Sequence, residues 1–107
     1  MKRIRILSVG KTNKPFCREG CEFYLDRLKR FYDVTVTELP EQASVQKECE
    51  LLCRQMSGKL CVLMDIGGEM ISSEGLSRLV YVGHLRADEI TFVIGGASGV
   101  FYWLRVV

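Results

Sequence analysis

Histidine and tryptophan occur once each and proline only twice in these 107 residues. No stretch approaches the ~18 apolar residues of a membrane span. The scarcity of proline agrees with a chain that has no low-complexity tract, internal repeat or linker. A single histidine, His84, leaves any metal reading to the cysteines. Charge of one sign is also lacking: 15 Lys and Arg against 13 Asp and Glu give +2, too little to mark a nucleic-acid binder by field strength. The basic opening Met1-Lys2-Arg3 lacks the apolar run of a secretion signal, because Lys11, Lys14 and Arg18 interrupt the next residues. Five cysteines are an odd number for a disulfide framework and imply free thiols in a reducing, cytoplasmic setting. What is present is a globular composition, 48% hydrophobic and 26% charged, in a length that fits one domain. A domain of this size buries roughly two-thirds of its unfolded surface, so a core needs no staples.

The apolar pattern predicts alternating strands and helices. Arg3 to Val9 reads as a strand ended by Gly10, and Pro15 suits the first turn of a helix. Cys17, Cys21, Tyr24, Leu28 and Phe31 then form a helical stripe, expected to face the core, with Arg18, Arg27, Lys29 and Arg30 toward water. Val34 to Leu39 reads as a second strand, closed by Pro40. Ser44 caps a helix running to about Ser57, with Leu51, Leu52 and Met56 inward and Gly58 as its stop. Leu60 to Met64 is short and wholly apolar, as central parallel strands are. Ser72 or Ser73 caps a third helix whose inner residues are expected to be Leu76, Leu79 and Val80. Ile90 to Ile94 completes a fourth strand. This order predicts an α/β fold: a parallel sheet with helices on both faces and right-handed crossovers.

In open α/β sheets ligands sit beyond the carboxyl ends of the strands. Two such ends carry glycines, at Met64-Asp65-Ile66-Gly67-Gly68-Glu69 and at Gly95 to Gly99. Glycine lets a backbone approach a ligand, although a tight strand-to-helix turn would use it equally. Three other patterns are weaker. Gly10-Lys11-Thr12 resembles the tail of a phosphate loop, but Arg5 stands where that motif needs glycine. Cys17 with Cys21 and Cys49 with Cys53 are spaced as neighbours on helices, not as a zinc knuckle; no metal is expected, and the thiols read as small core hydrophobes. His84 lies late in the third helix, far from both glycine turns, and reads as a solvent-facing residue and not a base. Arg27, Lys29 and Arg30 would suit RNA phosphate or simply a solvated helix face. A flavodoxin-like or receiver-like module would want an acidic cluster at the strand ends, where only Asp65 stands.

Six segments in order resemble the ribosomal RNA large subunit methyltransferase H family: Ile6-Leu7-Ser8-Val9-Gly10-Lys11, Glu22 to Leu28, Val36 to Pro40, Lys47-Glu48-Cys49-Glu50, Leu63 to Leu76, and Phe92 to Gly99. The likeness spans residues 1–99, with a shorter segment after Pro40. It implies a SPOUT, or α/β-knot, fold acting as a homodimer. It further implies S-adenosyl-L-methionine as cofactor and N3 of a pseudouridine in 23S ribosomal RNA of the assembled ribosome as acceptor. Met64, Gly95 and Gly96 occupy the positions of the family's cofactor contacts. A Met where the family has Leu is acceptable, since both are flexible and of like volume. The substrate nitrogen is itself the nucleophile, so no side chain is assigned as general base.

After Gly99 the resemblance stops. Residues 1–99 are therefore expected to form an incomplete methyltransferase-like domain, and 100–107, an apolar stretch, a non-family tail. The family's knot segment and its third cofactor loop are expected to be missing, as a frameshift or early stop would cause. A catalytically inactive remnant with at most RNA or partner binding is the alternative that this departure raises.

Overall fold

Strands that are apolar on both sides need cover on both faces of their sheet, and the three helices supply it. The computed structural model describes residues 1–10, 15–56, 60–64 and 69–95. The elements run β1 (Arg3–Val9), α1 (Pro15–Leu28), β2 (Asp33–Leu39), α2 (Val45–Met56), β3 (Leu60–Met64), α3 (Ser73–Arg86) and β4 (Glu89–Ile94). All three strand pairings are parallel, in the order β2-β1-β4-β3. The expected stop at Gly58, the turn over 65–68, the Lys11-Thr12 pair and residues 96–107 lie outside the described residues.

That strand order decides where the helices go. The steps from β1 to β2 and from β3 to β4 each move one place, and the step from β2 to β3 crosses back over the sheet. With crossovers of one hand, opposite steps put their helices on opposite faces. Leu25 and Leu28 of α1 and Val80 of α3 accordingly pack with Ile4, Val34 and Ile90 on one face. Cys49 and Leu52 of α2 pack with Leu7, Leu39, Cys61 and Val93 on the other. Both faces of β1 and β4 are thus core, which is why β4 reads as a nearly unbroken apolar run.

Local signals hold where the backbone chemistry is local. Ser72 caps α3, its hydroxyl accepting from the Gly75 N–H at 3.0 Å. Ser44 does the same for α2 through the Lys47 N–H at 3.2 Å. On α2, Leu52 is fully buried and Leu51 and Met56 pack against the core, as the periodicity predicts.

Three expectations are corrected. On α1, Cys17, Cys21 and Tyr24 are exposed, as is Phe31 just beyond it, and the helix meets the sheet through Leu25 and Leu28, followed by Tyr32. On α3, Val80, Gly83 and His84 are the buried residues, and Leu76 is exposed, because the helix contacts the sheet mainly through its last two turns. His84 does not face solvent: its Nε2 lies 2.9 Å from the Arg3 carbonyl and its ring stacks on Tyr32 at 5.6 Å. Gly83 beside it has no room for a side chain, since an added Cβ would come within 2.7 Å of Ile90 Cδ1.

Candidate functional site at the carboxyl edge of the sheet

Parallel register gathers the strand ends into one row. Met64 pairs with Ile94, Ile94 with Ser8, and Ser8 with Glu38. Neighbouring strands lie about 4.8 Å apart, so this row spans roughly 14 Å. In-register residues share a face, here the face that α1 and α3 cover lower down. At the carboxyl edge that cover is incomplete: Met64 is 49% exposed and Ile94 45%. Gly95 succeeds Ile94 directly and is half-buried.

The β1 end of the row is shaped by Gly10. Its φ of 87° lies in the left-handed region, which favours glycine, and its N–H donates to the Leu39 carbonyl at 2.7 Å. A Cβ there would stand 3.1 Å from Glu41 Oε1, so this carboxylate folds over the turn. The edge therefore combines an apolar floor of Met64 and Ile94, the Ser8 hydroxyl, the carboxylates of Glu38 and Glu41 at one corner, and the Gly95 backbone. Such a surface suits a flat, largely apolar group with polar atoms at its rim.

Of the residues that the resemblance marks, Met64 ends β3 and Gly95 directly follows Ile94, the β4 residue that pairs with it. Gly96 lies outside the described residues. Ser8, Ile94 and Glu38 join the site without any mark in the sequence. Only the pairing of β1 with both β2 and β4 brings them into the row, and no local motif announces that pairing.

The other candidates lie elsewhere. Arg3 begins β1 and Ser8 is five residues on, so His84 sits roughly 17 Å from the row at ~3.3 Å per residue. That distance removes it as a base. Arg5, where a phosphate loop would need glycine, bonds Gln55 Oε1 at 2.7 Å. Two shallow grooves among the described residues are lined by other residues than the row. One is lined by Met1, Lys2, Arg3 and Asp88, and the other by Gln46, Cys49, Glu50, Cys53 and Arg54.

The cysteines divide by exposure. Cys17, Cys21 and Cys53 are exposed and Cys49 and Cys61 buried, so the reading of the paired thiols as core hydrophobes holds for Cys49 alone. Burial, then the neighbouring Cys53 and Glu48, push the Cys49 thiol above its ordinary value and keep it protonated. Native protein should thus release three equivalents of thionitrobenzoate quickly and all five only in denaturant. Five fast equivalents would contradict the α2 packing.

No helix among the described residues is long and apolar enough to cross a membrane. A family model described as a predicted SPOUT methyltransferase matches residues 1–105. Several curated relatives share the name ribosomal RNA large subunit methyltransferase H. The protein of Dictyoglomus thermophilum is 32% identical over 105 residues, covering 91% of this chain and 69% of its own length. That of Desulforamulus reducens is 32% identical, covering 92% and 71%. That of Ruminiclostridium cellulolyticum is 33% identical, covering 91% and 70%. The family match takes in every strand and helix of the fold, and the all-parallel α/β sheet agrees with it. The chain belongs to the SPOUT methyltransferase family, with the ribosomal RNA large subunit methyltransferase H proteins as its relatives.

Proposed function

We propose that this protein transfers a methyl group from S-adenosyl-L-methionine to N3 of a pseudouridine in 23S ribosomal RNA. It does so on assembled ribosomes in the cytoplasm, as a homodimer, with Met64, Gly95 and Gly96 as cofactor contacts. The observation that carries this reading is the adjacency of Met64 and Gly95 at the carboxyl edge, in a chain whose relatives are named as ribosomal RNA methyltransferases.

Met64, Ile94 and Gly95, the described residues of the edge, suit the adenine part of the cofactor. Met64 and Ile94 offer half-exposed apolar area for the adenine face, and Gly95, lacking a side chain, leaves its backbone open to close approach. When bound, the cofactor supplies an electrophilic methyl group on a positively charged sulfur. The nucleophile is the base nitrogen, so the chain contributes orientation: it holds an apolar platform and a fixed backbone edge in register across four strands. Positioning of that kind accounts for much of the rate in such transfers.

The test uses ribosomes from cells lacking the gene, incubated with the protein and methyl-labelled S-adenosyl-L-methionine. Label should appear at N3 of a pseudouridine in 23S RNA. Label at another atom or in another RNA would contradict the proposal.

A further inference from the structure

Helix α3 lies against the sheet only toward its end. Leu76, Val80 and Gly83 share one side of it, at spacings of four and three, and Val80 and Gly83 are buried. Leu76 is 38% exposed, so the helix stands away from the sheet toward its first turn. Gly83 sits at the level of Leu60 and Ile90, since an added Cβ would come within 3.3 Å of both side chains. Seven residues of helix rise about 10.5 Å, roughly three residues of strand, which brings Leu76 to the level of Leu63 and Val93. The opening beneath α3 therefore leads onto Met64 and Ile94, the half-exposed floor of the carboxyl edge. Ile71 stands at its rim, 51% exposed and laid over Gly75, where a Cβ would meet Ile71 Cγ1 at 2.8 Å. The result is a wedge that is apolar on the helix side and on the sheet side.

The chain itself carries an occupant of matching chemistry. It leaves β4 at Gly95, in the middle of the sheet, and continues for twelve residues. Of residues 100–107 only Arg105 is charged, and Phe101, Tyr102 and Trp103 follow one another. Three aromatic side chains carry roughly 450–750 Å² of surface, more than a single chain ordinarily leaves in water as one patch. Six residues separate Phe101 from Gly95 and span at most about 20 Å, enough to cross the whole row of strand ends. Gly96 and Gly99 admit the backbone torsions that a reversal needs. The other face of the sheet is closed to this segment, because α2 covers it and Val93 there is fully buried. Covalent attachment gives the segment an effective concentration of about millimolar, which favours it over a free partner of equal affinity.

We infer that residues 100–104 dock into this wedge, their aromatic side chains covering Met64, Ile94, Ile71 and Leu76. The docking stands apart from the proposed function. One consequence rests on that function: adenine and tail claim the same floor, so each excludes the other there.

Trp103 is the only tryptophan, and its fluorescence reports the segment directly. In the full chain its emission should lie to the blue of the urea-unfolded protein, and acrylamide should quench it several-fold less steeply. Both properties should be independent of protein concentration. Leu76→Glu and Met64→Glu each put a charge into the wedge at a partly exposed site. Each should move the emission to the red and restore quenching, with the melting point held within a few degrees. Two variants keep the test decisive if one misfolds. Wild-type emission that matches the unfolded chain would overturn the docking. So would shielding that fades on dilution, which would give the wedge to a second copy, or shielding unchanged in both variants. Saturating S-adenosyl-L-methionine should release Trp103 to solvent, and cofactor bound with Trp103 still shielded would overturn the exclusion. Cofactor that fails to bind even to Leu76→Glu would contradict the proposed function, while the fluorescence of the free protein still decides the docking.

Discussion

Gly95→Leu is expected to reduce methyl transfer by about a hundredfold or more, the scale of a misplacement of ~1 Å at a reacting group. Gly95 succeeds Ile94, the β4 residue that pairs with Met64 on β3, and on the proposed function the edge there admits the cofactor against bare backbone. A leucine there would project into the space the cofactor needs or force the strand end to shift. Because Gly95 lies at the half-buried rim, the sheet beneath it should survive and the melting point should hold within a few degrees. Equal rates for variant and wild type would remove Gly95 from the site. A collapse of the melting point would mean that the residue serves the fold.

Leu7→Ala is the largest expected loss of stability. Leu7 lies in β1, which pairs with strands on both sides, and it is fully buried with Leu52 of α2 and Val93 of β4. Removing a buried leucine costs about 2–5 kcal/mol, from the lost transfer energy and the cavity left behind. Here α2 is braced by Leu39 and Cys61 as well, so the site has little freedom to collapse and the upper part of that range applies. A domain of this length is stable by about 5–15 kcal/mol, so the change removes a large fraction. Urea unfolding should show a lower midpoint with an unchanged slope. A loss below ~1 kcal/mol would contradict the placement of Leu7 at the centre of the α2-side core.

Much of the fold is legible because its signals are local. Strand boundaries come from apolar runs punctuated by Gly10 and Pro40, and the caps at Ser44 and Ser72 come from their own hydroxyls. The α1 error has a different origin. That helix has apolar residues on two sides, and periodicity measures amphipathicity without saying which side meets the sheet. Leu25 and Leu28 do, while Tyr24 and Phe31 do not. His84 misleads because the end of a helix usually faces water; here the last turn of α3 packs over the start of β1. At the candidate site, the two strand ends are marked by their glycines, and Met64 and Gly95 by the family resemblance. Ser8, Ile94 and Glu38 are not, since their row depends on β4 inserting between β1 and β3, a pairing that joins residues far apart in the chain.

The central claim, methylation of a pseudouridine in 23S RNA, is tested most directly in cells. Nucleosides from 23S RNA of the source organism, with and without the gene, are to be compared by mass spectrometry. Deletion should remove N3-methylpseudouridine and leave unmethylated pseudouridine in its place, and restoring the gene should return the methyl group. An N3-methylpseudouridine signal that persists undiminished in the deletion strain would contradict the account.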